Sequence, residues 1–314
     1  SSDVCSSDLA LKNKGMFRKN LKKNGVLYLF LFPMIVYIVI FHYMPLAGLQ
    51  IAFKDFVATK GIWGSEWVGF RYFRQFFDSP MFWKLLKNTL VISLYQLVFS
   101  FPIPVILALI LNYTPSGRLK KITQTATYAP HFISTVVLVG MMFVFFDPAS
   151  GIGTAILKGL GMNNPQVLTD PAAFPHLYVW SAIWQTTGWS SIIYIAALSG
   201  VSPELHEAAI ADGANKLQRI IYIDIPMLIP TAVILLILNC GNIMNLGFEK
   251  VYLMQTAPNL STSEVISTYV YKIGLQGQQY SYASAIGLFN NVINFTILVL
   301  VNRIAGKTTE NSLW

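Results

Sequence analysis

Apolar runs long enough to cross a bilayer recur six times along the chain, at residues 26–46, 88–117, 122–146, 175–201, 225–248 and 283–301. A hydrocarbon core of about 30 Å takes about 20 helical residues, so each run predicts one transmembrane helix. The fold class expected is an all-α integral membrane protein with six spans. Pro33 and Pro45 are placed to kink or end the first span, and Pro102 and Pro104 fall inside the second.

The polar intervals set the expected orientation. Residues 10–24 carry Lys12, Lys14, Arg18, Lys19, Lys22 and Lys23 with no acid. Arg118, Lys120 and Lys121 follow the second run, Lys216 and Arg219 lie between the fourth and fifth, and Arg303 and Lys307 follow the sixth. Basic residues concentrate in cytoplasmic loops, so both termini are expected in the cytoplasm. Residues 1–25 then form a basic cytoplasmic segment, 26–302 the membrane domain and 303–314 a cytoplasmic tail. The opening SSDVCSSDLA reads as added sequence. Residues 47–87, 147–175 and 249–272 are expected outside. In the first of these, the aromatics of 67–89 fit a short interfacial helix. Its Arg71, Arg74, Lys84 and Lys87 permit an acidic saccharide but suit a docking or headgroup surface better.

Composition agrees with a membrane protein and excludes several functions. Of the 314 residues 54% are hydrophobic and 11% charged, against roughly 25% charged in soluble domains. The net charge of +8 fits cytoplasmic flanks and anionic headgroups better than nucleic acid. Cys5 and Cys240 suggest no disulfide framework. His42, His131, His176 and His206 are scattered, and no clustered metal ligands, paired carboxylates or nucleophilic triad stand out. The spans carry no repeated charge of the kind that couples ion-driven transport, and no phosphate-binding Gly-x-x-x-x-Gly-Lys-Ser/Thr loop is present. The energy for any transport is therefore expected to arrive from elsewhere.

The densest pattern lies at 202–226, SPELHEAAIADGANKLQRIIYIDIP. Ser202 can cap a helix with Pro203 at its first position, and Glu204 and Glu207 lie where negative charge is favoured. Ala208, Ala209 and Ala211 give a small-sided helix, Gly213 interrupts it, and Pro226 opens the next apolar run. The stretch resembles the cytoplasmic coupling loop of membrane subunits of binding-protein-dependent ABC importers, whose pattern is Glu-Ala-Ala, three residues, Gly, nine residues, Ile-x-Leu-Pro. Here the positions are Glu207, Ala208, Ala209, Gly213, Ile223, Ile225 and Pro226, with Ile for Leu the one departure. Asp212-Gly213-Ala214 is similar to the carbohydrate branch, as is the run toward Asn88-Thr89. FHYMPLAGLQIAFKDF, from Phe41 to Phe56, resembles the permeases for polysaccharides and oligosaccharides.

The resemblance implies a type I ABC importer permease fold with an extra N-terminal helix, in the bacterial plasma membrane. It implies no cofactor on this chain, ATP and Mg on a separate ATPase dimer, a second related permease, and an external solute-binding protein that delivers an oligosaccharide. Glu207 would anchor the loop in the ATPase groove, Ala208 and Ala209 would allow close packing, Gly213 would allow the turn, Asp212 would brace it, and Pro226 would begin the following span. A sugar path needs uncharged hydrogen-bonding groups and aromatics, for which Trp184, Gln185, Trp189, Asn242, Asn245, Asn290 and Asn294 are the candidates. Amides at such positions also join helices to each other. A permease for another solute such as glycerol phosphate, and a membrane scaffold or receptor of permease fold, are the other readings.

Overall fold

The structure, a computed structural model, describes residues 23–115, 117–163, 165–309 and 312–313. The basic residues 12–22 and the opening ten lie outside these. The chain forms two compact units, Ser1–Gly69 and Phe70–Trp314.

In the first unit α1, Gly25–Ile38, continues through a π-helical turn and a 3-10 stretch to Phe53, making one apolar rod of 29 residues. Pro33 lies inside it, Pro45 opens its 3-10 part, and its apolar side chains are exposed, as contact with lipid requires. A short antiparallel ribbon follows, β1 Lys54–Asp55 against β2 Glu66–Trp67. The buried Lys54 donates to the Ile62 carbonyl (2.7 Å) and lies 4.9 Å from the centre of the Trp67 ring.

The second unit is almost wholly helical. Within 67–89, where an interfacial helix is expected, the structure has the short helix α2, Arg71–Phe77, followed at Met81 by the start of the second span. That span comprises α3, Met81–Ser100, and α4, Pro102–Tyr113, stacked as one rod of 33 residues. The third run is not one straight span. It divides into α5, Arg118–Tyr128 with a 3-10 extension to Phe132, and α6, Thr135–Phe145, bent by 103°. The break has a local cause: Ile133 is extended, and Ser134 accepts a hydrogen bond from the Val137 amide and caps a fresh helix.

The fourth run is α7, Ala173–Ser199. Its 27 residues reach about 40 Å, enough to cross, but its polar composition separates it from the helices that are both long and apolar enough to span, four among the described residues or five if the bent pair is one span. α7 packs one face against protein, where Phe174, Val179, Ile183, Gly188, Ser191 and Tyr194 are buried, and leaves Trp180, Trp184, Trp189 and Ile193 half-exposed on the other. Its N-terminal half joins a core with Ile92, Val139 and Val251, and its C-terminal half packs Tyr194 and Leu198 against Ala108 of α4 and Leu228.

Beyond α7 come α8, Pro203–Ala211, and α9, Ile225–Cys240. The rod that contains α9 begins earlier than the apolar run, because Lys216–Arg219 and a π-helical turn at Ile220–Asp224 lead into α9 as one rod of 25 residues. It also ends earlier: 241–247 is an irregular turn and not the last part of a span. The final helix α10, Tyr280–Thr309, takes in most of the tail expected after residue 302.

The stretch 249–272 is not an open loop. Short helices Phe248–Met254 and Ile266–Tyr271 fill it, and Val251, Met254, Val265 and Ile266 are core residues. Asn88 donates to the carbonyls of Ser261 (3.0 Å) and Glu264 (2.9 Å), and the hydroxyl of Thr89 accepts from the Ile266 amide (3.1 Å). The Asn-Thr pair thus ties this segment to the second span.

Lys250 is buried there, donating to the Tyr178 carbonyl (3.1 Å) with its ammonium 5.1 Å from that ring. Desolvation pushes its pKa down to about 7. An unfolded chain, with the ordinary lysine value near 10.4, binds the proton more readily than the folded one. The charge therefore costs stability in full below pH 7, and the cost is relieved as pH rises from 7 toward 10. Lys250→Met is expected to raise the thermal midpoint of the detergent-solubilised protein at pH 7 and below, and to flatten the rise in that midpoint between pH 7 and 9. A midpoint lowered equally at every pH would show that the lysine's contacts outweigh its desolvation.

Candidate functional site

The stretch 202–226 folds as its sequence dictates. The Ser202 hydroxyl accepts from the Glu204 amide (3.3 Å), and Pro203 begins α8. At the far end the Gly213 amide donates to Ile210 O (3.0 Å) and the Ala214 amide to Ala209 O (2.8 Å). This paired closure is a Schellman motif, with glycine at the left-handed position, φ +83°. A Cβ on Gly213 would meet nothing within 4 Å, so the turn needs glycine for its backbone angle and not for a close helix contact within this chain. Next, Asn215 and Gln218 cap each other reciprocally, at 2.9 and 2.8 Å. Glu207, Ala208, Asp212 and Gly213 are exposed together on this projection, Ala209 is half-buried, and Pro226 lies exposed in the first turn of α9.

Four buried or half-buried groups beneath the projection were not selected as site residues from the sequence. The fully buried Asp224 accepts from the Tyr113 hydroxyl (2.7 Å), and its other oxygen is 3.3 Å from His206 Nε2. Arg219 lies over the Tyr113 ring at 5.6 Å. His206 precedes Glu207 in the motif, so the spacing 206, 219, 224 was the available signal, but Tyr113 is over a hundred residues distant in sequence.

The second candidate region is the irregular turn 241–247. It faces α3 across a cavity of about 190 Å³ whose polar lining is Ser93, Gln96, Ser100, Asn239, Asn242 and Asn245. Irregular backbone at membrane depth is tolerated where it is buried in protein or lines a cavity, and here it does the latter. Asn242 donates to Leu238 O (3.2 Å) and Asn245 accepts from Asn290 (2.8 Å). Asn290 and Asn294 are buried, and Asn294 accepts from the Met244 amide (2.9 Å), so both hold α10 to the turn. Ser93, Gln96, Ser100 and Asn239 join the cavity although sequence reading did not select them. Their shared signal is the spacing 93, 96, 100 on one face of a helix.

The remaining candidates lie elsewhere on α7. Trp184 is half-exposed beside a groove of about 1060 Å³ that is almost wholly apolar. Gln185 donates to Ile133 O (2.7 Å) and braces the break between α5 and α6. Trp189 stacks on His131 with ring centres 4.5 Å apart. The structure therefore brings Asn242 and Asn245 together at a cavity, and does not bring Trp184, Gln185 or Trp189 to it.

An exposed helix with this motif, closed by a Schellman turn between two long helices, is now joined by a sequence-family match. Residues 100–309 match the family described as binding-protein-dependent transport system inner membrane component. The chain belongs to that family. The permease is 42% identical over 294 residues to Protein LplB of Bacillus subtilis, covering 94% of this chain and 92% of that protein. It is 40% identical to the polygalacturonan/rhamnogalacturonan transport system permease protein YteP of the same organism, covering 92% of this chain and 90% of the relative. Its structure matches one titled as a bacterial ABC transporter involved in the import of the acidic polysaccharide alginate, with TM-score 0.87 and 38% identity over 94% of this chain and 99% of that one. A second match, TM-score 0.86 and 37% identity over the same shares, is an alginate ABC transporter in complex with an alginate pentasaccharide-bound periplasmic protein. The fold is that of an ABC importer permease, a multi-pass membrane protein of the carbohydrate-transport type and a non-catalytic component.

Proposed function

We infer that this chain is one transmembrane subunit of an ATP-driven importer of oligosaccharides, and that it works with a second permease, an ATPase dimer and an external binding protein. The observation that carries this reading is the exposed motif helix α8, closed at Gly213 and set between α7 and α9. That projection docks in an ATPase groove through Glu207, and the termini share its cytoplasmic side. ATP and Mg reside on the ATPases.

The cavity at 241–247 forms this subunit's part of the sugar path. Its amides and hydroxyls match the uncharged hydrogen-bonding surface of a saccharide, whereas the larger apolar groove beside Trp184 does not. The relatives named for polygalacturonan and the neighbours named for alginate support acidic saccharide chains as the first class to try. The test is a panel of neutral and uronate oligosaccharides offered to the cognate external binding protein, then to the reconstituted importer. Retention and uptake of an oligosaccharide support the assignment. Selective uptake of glycerol phosphate would replace it.

The two groups of asparagines separate path from scaffold. Asn242→Ala is expected to change uptake of the transported oligosaccharide several-fold while the complex assembles at the parent level. Asn294→Ala leaves the buried Met244 amide unpaired, at a cost of roughly 1–3 kcal/mol, and is expected to lower complex yield and uptake in parallel. The same parallel loss for Asn242 would remove it from the path.

A further inference from the structure

The contacts beneath the coupling helix connect three elements at one carboxylate. Asp224 lies in the turn leading into α9 and is fully buried. Tyr113 is the last residue of α4, and its hydroxyl donates to Oδ2 at 2.7 Å. His206 is in α8, and its Nε2 faces Oδ1 at 3.3 Å. The two oxygens are thus divided between the projection and the inner end of the second span. The carboxylate itself belongs to the rod that becomes the fifth span. The Tyr113 and His206 rings also meet edge to face at 6.4 Å, and the Arg219 guanidinium lies 5.6 Å from the centre of the Tyr113 ring.

The motif residues themselves cannot hold α8 to the spans. Glu204, Glu207, Ala208, Asp212 and Gly213 are exposed, and the half-buried Ala209 has no polar side chain to bond with. A projection joined only through its two chain ends could tilt without moving the span behind it. A buried carboxyl with one oxygen hydrogen-bonded to Tyr113 and the other in contact with His206 resists this, because pulling either element away strips a buried polar group of a neighbour that water does not replace.

We propose that Asp224 is the positioning residue that makes the coupling helix, the inner end of the second span and the start of the fifth move as one body, with His206 and Tyr113 as its two partners. The proposal rests on the reading of α8 as the ATPase-docking element. It assigns a role to residues outside the Glu-Ala-Ala-Gly pattern. Glu207 receives the ATPase; Asp224 passes the displacement inward.

The test uses the whole reconstituted complex, with spin labels at the exposed positions Leu205 of α8 and Asn112 of α4. The interlabel distance is compared in the nucleotide-free state and in the state trapped with ATP and vanadate. The parent is expected to give the same distance in both states. Asp224→Asn is expected to retain its ATPase subunits on purification, yet show a shift beyond about 2 Å, larger than the usual sliding of packed helices, with a broadened distribution. Tyr113→Phe, which removes one hydroxyl, gives a smaller change in the same direction and adds nothing in the Asp224→Asn background. It carries the test if Asp224→Asn does not assemble. Parent distances in both states for Asp224→Asn, or for Tyr113→Phe when it alone assembles, would overturn the proposal. A Glu207→Ala arm keeps the two ideas apart: unchanged ATPase association in that variant refutes the docking role of α8, whereas a refutation of the Asp224 joint leaves it intact.

Discussion

Gly188→Val is expected to prevent assembly of the permease. A Cβ at Gly188 would fall on the Thr127 carbonyl, with the Tyr128 ring close behind, where α7 crosses α5. Backbone cannot swing aside as a flexible side chain does, so α7 must retreat from α5. Overpacking of this kind costs typically 1–3 kcal/mol and more where backbone is met. Retreat would also release Gln185 from Ile133 O, the bond that braces the 103° break. Gly140→Val supplies the control, since a Cβ on Gly140 of α6 meets nothing within 4 Å. Size-exclusion chromatography and thermal unfolding of the complex should give loss of assembled material, or a much lower midpoint, for the first variant and near-parent behaviour for the second. Equal behaviour would show that the crossing is not this close.

The coupling helix is the second place where a small change should abolish transport. Glu207 is exposed on α8, available to a partner. In the docking proposed above, removing its carboxylate would lose a charged hydrogen bond worth roughly 1.5–3 kcal/mol, which corresponds to about tenfold or more in docking. Gly213 acts differently. With φ at +83° and open space around it, a side chain there is penalised by its backbone angle alone. The left-handed conformation costs roughly 1–2 kcal/mol for a residue with a Cβ, and more for a branched one. Gly213→Val should therefore undo the Schellman closure and misdirect the 214–219 segment, while Gly213→Asn, which tolerates that angle, should keep most of the activity. Pull-down of the ATPase and oligosaccharide uptake distinguish these outcomes. A Glu207→Ala, Gly213→Val double variant with parent ATPase association and uptake would remove α8 from the coupling path.

Much of this was legible in the sequence because membrane solvation and local capping are written locally. Apolar runs located the rods, and Ser202, Pro203 and Gly213 marked the ends of α8 at the residues where the structure places them. Other features depended on contacts that no window contains. The third run carries no charge, yet Ser134 caps a new helix within it, and hydropathy does not register a cap. The fourth run looked like a polar sugar-facing helix, but Gln185 and Trp189 are spent on Ile133 and His131. The fifth appeared to extend through Asn245, whereas the helix stops at Cys240 and the asparagines lie in the turn. Three-residue spacing suits both a helix face and a succession of turns, so the pattern did not distinguish them. Asp224 was hidden within the motif stretch because its partner Tyr113 lies on another span.

The central claim is that this chain links a separate ATPase to the passage of an oligosaccharide delivered from outside. The most direct measurement is ATP hydrolysis by the importer reconstituted in liposomes, with and without its saccharide-loaded binding protein, alongside uptake of the same saccharide. Hydrolysis that rises with the loaded binding protein and is accompanied by uptake, both lost in Glu207→Ala, is the result expected. Hydrolysis indifferent to the binding protein, with no saccharide entering, would contradict the account.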